Sequence, residues 1–191
     1  MYYLFYQASV ILAPFCSNSF YIACMKYEEM EVKCVLTPTD ALDLPEIDRI
    51  LLKKAHDAAA NAYAPYSGFQ VGSAVRLKSG VIVVGSNQEN MAYPSGLCGE
   101  RVAVFAAGAQ FPGEEIESVA IVSPSPVAVP SAFLPCGGCR QVLLEAESRQ
   151  PNSIRLLLQA RDEVVLVSQS AINLVPFAFT VEDGGLSSDN S

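Results

Sequence analysis

The chain of 191 residues is poor in positive charge: 12 lysines and arginines stand against 20 acids, for a formal charge of −8. Such a chain offers no basic footprint for a phosphate backbone, which disfavours nucleic-acid binding. Its single histidine, His56, falls mid-helix and reads as an ordinary surface or packing residue. Long apolar runs are missing as well. A spanning helix needs about 20 mostly apolar residues, and the longest piece near the start, Ala8 to Phe15, is far shorter. Charge is absent altogether from Met1 to Met25, yet a secretory signal would want a positive leader and an unbroken apolar stretch, and Pro14, Cys16, Ser17, Asn18 and Ser19 interrupt this one. No membrane contact of the folded domain and a cytoplasmic location are expected. Residues 1–44 read as an N-terminal extension, with 1–24 outside the folded unit, as an upstream addition ahead of a start at Met25 would be. A short membrane or partner contact, or extra docked structure, stays open for that stretch.

What is present suits one globular domain. With 51% hydrophobic residues, a chain of this size needs no disulfide scaffold. Leu44 to Ala62 has apolar residues at helical spacing, with Pro45 suited to the first turn. Phe69–Leu77, a turn at Lys78-Ser79-Gly80 and Val81–Val84 predict a hairpin. Helices are expected over Cys98–Ala109 and Cys136–Ser148, and strands over Val119–Val122, Ile154–Leu158 and Val164–Val167. The order predicts an α/β fold of three α/β/α layers, with a mixed, roughly five-stranded sheet and helices on both faces. The domain is expected over 45–183, followed by a polar tail, 184–191.

Six cysteines divide into two groups. Cys16, Cys24 and Cys34 have no ligand-like spacing and receive no role. Cys136 and Cys139 form a C-x-x-C at a helix start, after Pro135, and Cys98 opens another helix. Three thiolates leave the fourth tetrahedral position of zinc for water, the arrangement of a catalytic site rather than a structural one. Their net charge would blunt the ion as a Lewis acid. Helix N-termini, each worth roughly +0.5 charge, offset it, as do Arg101 and Arg140, which directly follow the ligand motifs. Arg101 is the preferred partner of the sulfurs, against a solvent-exposed helix arginine. Glu100, two residues after Cys98, stands beside the metal without ligating it and reads as the proton carrier. A thiol–disulfide oxidoreductase using Cys136 and Cys139, or a zinc protein without activity, are the readings from other classes.

Cys98-Gly99-Glu100 followed by Pro135-Cys136-Gly137-Gly138-Cys139 resembles the C-x-E … P-C-x-x-C signature of the zinc-dependent nucleoside deaminases. Tyr63-Ala64-Pro65-Tyr66-Ser67-Gly68-Phe69-Gln70-Val71-Gly72, Asn87-Gln88-Glu89-Asn90-Met91-Ala92-Tyr93 and Leu174-Val175-Pro176-Phe177-Ala178-Phe179 are similar to blocks of the small cytidine deaminases. The resemblance implies one zinc per chain on Cys98, Cys136 and Cys139, with Glu100 as general acid and base. It implies ribose contacts from Asn87 and Glu89, ring packing from Phe69, and a backbone N–H of Gly99 on the pyrimidine. It further implies a homotetramer in which Phe179 reaches a neighbour's site. Without the family, Asn87 is as readily a turn residue, Glu89 a solvated acid, and Phe69 and Phe179 core aromatics. Gly99 and Gly138 depart from a usual Ala, and Leu134 from a usual Ser. The expected reaction is hydrolytic deamination of cytidine and deoxycytidine to uridine and deoxyuridine, in pyrimidine salvage; a deaminase of another aminopyrimidine is the nearest alternative.

Overall fold

A computed structural model describes residues 31–128, 133–160 and 163–179. The expectations for residues 1–25 and 184–191 lie outside the described residues. From Val32 onward the described residues form one compact unit. Its elements are β1 (Thr37–Asp40), α1 (Glu46–Ala59), β2 (Gly72–Leu77), β3 (Ile82–Ser86), α2 (Gly99–Gln110), β4 (Ile116–Val122), α3 (Gly137–Ser148), β5 (Arg155–Gln159) and β6 (Val164–Ser168).

The strands make one six-stranded sheet in the order β1-β6-β5-β4-β2-β3. Only β4 and β5 run parallel; every other neighbouring pair is antiparallel. The α/β class and the mixed sheet are as expected, but the expected count of roughly five strands is one short of the observed six. The addition is β1, which pairs with β6 at the sheet edge. Its sequence, Thr-Pro-Thr-Asp, is mostly exposed and has no apolar alternation to betray it. Pro38 is tolerated because an edge strand leaves one side of its backbone unpaired.

Layering follows from alternation along the strands. Ala74, Ala120, Leu157 and Val165 face Leu51, Leu52 and Ala55 of α1 in one buried cluster. Their neighbours Val75, Ile121, Leu156 and Leu158 join Val104 and Ala107 of α2 and Leu143 of α3 in the other. β5 is buried on both faces, which is why Leu156, Leu157 and Leu158 read as a continuous apolar run.

α1 is shorter than the expected Leu44–Ala62, and its buried face is turned from the simple apolar stripe. Asp48 is fully buried while Ile47 and Ile50 are exposed. Asp48 accepts from Arg155 of β5 and lies 3.5 Å from Arg76 of β2, whose Nε donates to Glu117 at 3.0 Å. A buried carboxylate is tolerated only when paired, and here the pairing ties α1 to the sheet. His56 is half-buried, with Nε2 2.9 Å from Gln159 Oε1, in keeping with a packing role.

Candidate active site

The site grows from one end of the strands, where Ser86, Gly72, Val122 and Gln159 lie side by side at the ends of β3, β2, β4 and β5. Past β3 the chain runs through Asn87 and Glu89 to Cys98 at the start of α2. Past β4 it reaches Cys136 at the start of α3. Cys98 and Cys136 are the N-cap residues of these helices, both in extended conformation, and neither uses its side chain as a cap. Both sulfurs are thereby left for other partners. One turn into α3, Cys139 is fully buried.

The three sulfurs all lie within 4.8 Å of one another, with Cys136 and Cys139 3.5 Å apart. A tetrahedral zinc about 2.3 Å from each thiolate separates its sulfurs by about 3.8 Å. Donor type and spacing both fit that ion. Cys98 already has thiolate character: its pKa is drawn down to about 5, first by the thiol of Cys139, which donates to it, and then by Arg101, against the opposing effect of burial. Cys139 is correspondingly pushed up, by holding its proton toward Cys98 and by burial.

Arg101 reaches back one turn, its Nη2 3.5 Å from Cys98 Sγ. Arg140 does not serve the sulfurs; its guanidinium donates to the carbonyls of Pro135 at 2.7 Å and Leu174 at 3.3 Å. Of the two arginines following the ligand motifs, one neutralises charge and the other ties backbone.

Glu100 is 6% exposed at the first turn of α2. Burial, the largest influence, pushes its carboxyl above the ordinary glutamate range, and the charge of Cys98 adds to this. A cavity of about 520 Å³ is lined by Phe69, Asn87, Glu89, Cys98, Glu100 and Cys136, with apolar walls from Val71, Phe133 and Leu134. Phe69 packs in a tilted arrangement against Phe133, ring centroids 6.4 Å apart. A second cavity, of about 410 Å³, shares Ser67, Asn87, Glu89 and Cys98 and extends to Arg101. Gly99 is the first helical residue of α2, where a backbone N–H has no acceptor within the helix. The structure thus brings the three cysteines, Glu100, Arg101, Phe69, Asn87, Glu89 and Gly99 to one place. Phe179 stands apart; it is 76% exposed and lines neither cavity.

The two candidate sugar residues also hold the wall of the site. Asn87 accepts from the Val71 N–H at 2.8 Å and donates to the Phe69 carbonyl at 2.8 Å. Glu89 accepts from the backbone N–H groups of Tyr66 and Ser67 at 3.0 and 3.3 Å and from the Ser67 hydroxyl. That hydroxyl in turn accepts from the Phe69 N–H at 3.0 Å. Ser67 is a contributor that the sequence reading did not single out. Its position two residues before Phe69, where a serine hydroxyl can turn back on the backbone, was the available signal.

The pattern described as the cytidine and deoxycytidylate deaminase zinc-binding region matches residues 45–151. A cytidine deaminase of Halalkalibacterium halodurans is 37% identical over 135 residues, covering 71% of this chain and 96% of its own. The chain belongs to the cytidine deaminase family. A cytidine deaminase of Mycobacterium tuberculosis is 42% identical over 103 residues, 53% of this chain and 74% of that protein. Among solved structures, the cytidine deaminase of Burkholderia pseudomallei superposes with a TM-score of 0.60 at 38% identity, over 69% of this chain and 98% of that one. The Mycobacterium tuberculosis enzyme gives a TM-score of 0.54 at 32% identity, over 70% and 97%. Membership makes the chain a hydrolase with a zinc-binding deaminase domain, and the cysteine cluster is where a metal could be held.

Proposed function

We propose that the chain catalyses hydrolytic deamination of cytidine and deoxycytidine to uridine and deoxyuridine with release of ammonia, serving pyrimidine salvage in the cytoplasm. The observation that carries this reading is Glu100: a buried carboxyl with a raised pKa, lining the same cavity as two of three clustered cysteine sulfurs. Cys98, Cys136 and Cys139 hold one zinc per chain. When bound, that ion supplies Lewis acidity, which makes water a nucleophile near neutral pH. Glu100 accepts one proton of the attacking water and delivers it to the ring nitrogen next to the reacting carbon, then accepts the second from the hydroxyl now on that carbon and passes it to the departing amine. Its burial suits both halves of that task, since raising the pKa brings the protonated and ionised forms of the carboxyl closer in energy. Arg101 offsets thiolate charge beside Cys98. The Gly99 N–H binds the pyrimidine carbonyl, Phe69 packs on the ring, and Asn87 and Glu89 receive the sugar hydroxyls.

Among the described residues, no lysine or arginine lines the cavity that holds Glu100, and Glu89 brings negative charge to it. A 5′-phosphate would find repulsion and no partner there, which favours the free nucleoside. Exposure of Phe179 and of Phe105 on the outer side of α2 supports a homotetramer in which Phe179 completes a neighbour's site. No helix of the described residues is long and apolar enough to cross a membrane. Ammonia release measured across cytidine, deoxycytidine, their monophosphates and adenosine tests the substrate assignment. Turnover of both nucleosides, with little on the monophosphates and none on adenosine, is expected. Zinc by elemental analysis is expected at about one per chain. Preference for the monophosphates would overturn the nucleoside assignment, and a sedimentation mass near one chain would overturn the shared site.

A further inference from the structure

We propose that Arg140 is a positioning residue that fixes the Cys136 ligand turn by tying it to the C-terminal segment. This rests on the reading of the three cysteines as a zinc site. The turn before Cys98 is held by paired backbone: Gln88 and Leu97 exchange two hydrogen bonds, at 2.9 and 3.0 Å, one residue ahead of the ligand. Cys136 is exposed and follows Pro135, which has no N–H to offer a neighbour. Arg140 supplies the hold from the side, its Nε donating to the Pro135 carbonyl five residues back at 2.7 Å.

A guanidinium orients well only when its other donors are engaged, because its fork is rigid and planar. Here Nη1 donates to the carbonyl of Leu174 at 3.3 Å, at the end of the short 3-10 turn Ile172–Leu174. The next residue of α3, Gln141, donates to the Phe179 carbonyl at 3.2 Å. Phe177, between those two anchors, holds a left-handed conformation with φ of 55°. The C-terminal segment is therefore pinned to the first turn of α3 at both ends, which makes it a firm counter-anchor for the arginine that aims the Cys136 turn.

Arg140→Ala tests this in the zinc-loaded full chain, with Arg149→Ala, just past the end of the same helix and remote from the site, as its control. Transfer of zinc to a coloured chelator is expected to run about tenfold faster in Arg140→Ala, and to be unchanged in the control. With cobalt in place of zinc, the visible bands of the tetrahedral thiolate site should shift or broaden in Arg140→Ala alone, a signature that loss of global stability would not produce in folded protein. A folded Arg140→Ala whose release rate and cobalt spectrum match wild type overturns the proposal. If that variant does not fold, Arg140→Gln decides. Its shorter amide cannot reach both carbonyls, so the same acceleration is expected, and a wild-type release rate overturns the proposal. A wild-type chain that takes up neither ion removes the zinc reading and this inference with it, whereas a metal-loaded wild type with an indifferent Arg140 variant removes this inference alone.

Discussion

The two helix starts that carry the cysteines are built by different means. At α2 the backbone lies close against its support. A side-chain carbon on Gly85 would stand 2.5 Å from the Ala103 nitrogen, and one on Gly99 2.9 Å from the Val71 carbonyl, distances that leave no room for it. Cys98 and Glu100 are thus carried on main chain pressed onto β3 and the lead into β2. At α3 the corresponding glycines, Gly137 and Gly138, have open space around them, and the turn depends on the side chain of Arg140. α2 carries one proposed zinc ligand and the proposed proton carrier, and α3 carries the other two proposed ligands. The half of the site that needs the finest positioning is the half with main-chain support, as expected where a small misplacement of a reacting group costs rate steeply.

Loss of a ligand is the bluntest way to break this comparison. Cys98→Ala and Cys139→Ala should each abolish zinc retention and turnover, read by elemental analysis and ammonia release. Cys139→Ala should also lower the melting temperature of the metal-free chain more than Cys136→Ala does, since Cys139 is buried in the core and Cys136 is exposed. Glu100→Gln separates the two helices by function. It should keep its zinc and lose about 10²–10⁴-fold in kcat, whereas changes at the α3 start should lose metal first. Near-wild-type turnover in Glu100→Gln would remove the proton-carrier role.

The glycine pair sharpens the contrast with a smaller effect of opposite sign. Gly99→Ala should destabilise the chain by about 1–3 kcal/mol, the range for overpacking, because the Val71 carbonyl, a backbone atom 2.9 Å from the added carbon, must shift to admit it. Gly138→Ala, with nothing to meet, should stabilise it by about 0.5–1 kcal/mol through reduced freedom of the unfolded chain. Urea melts of the two zinc-loaded variants read both. If the shifts have the same sign, the difference in main-chain support between the helix starts does not exist.

Much of this was legible in the sequence for a physical reason: ligand spacing and helix periodicity are local. Cys136 and Cys139 sit one turn apart wherever that helix lies, and Cys98 with Glu100 marks a second helix start. What escaped depends on which groups meet across the fold. β1 has no apolar face to read. Asp48 interrupts an otherwise ordinary helical stripe, and only its pairing with Arg76 and Arg155 makes its burial tolerable. Arg101 and Arg140 look alike as arginines after a ligand motif, yet one faces a sulfur and the other two carbonyls. Asn87 and Glu89 resemble sugar-binding residues, but the strip from Tyr66 to Val71 that occupies them joins the site only in three dimensions.

That strip carries the smallest expected effect and bears on the support beneath α2. Glu89 leads into the Gln88–Leu97 pairing ahead of Cys98, and its carboxylate lies below the ordinary glutamate range because the Ser67 hydroxyl donates to it, followed by the Tyr66 and Ser67 N–H groups. A folded-state pKa below the unfolded value means that the charged form is favoured by folding. The contribution is present above the ordinary value of 4.5 and fades as pH falls through the depressed one. Melting temperature followed from about pH 6 to about pH 3 should therefore fall less steeply in Glu89→Gln than in wild type, the two curves converging at the acid end. Parallel curves would mean that Glu89 does not hold the Tyr66–Phe69 strip as a carboxylate, and the wall of the site would then rest on Asn87, on the Ser123 and Ser125 hydroxyls and on main chain.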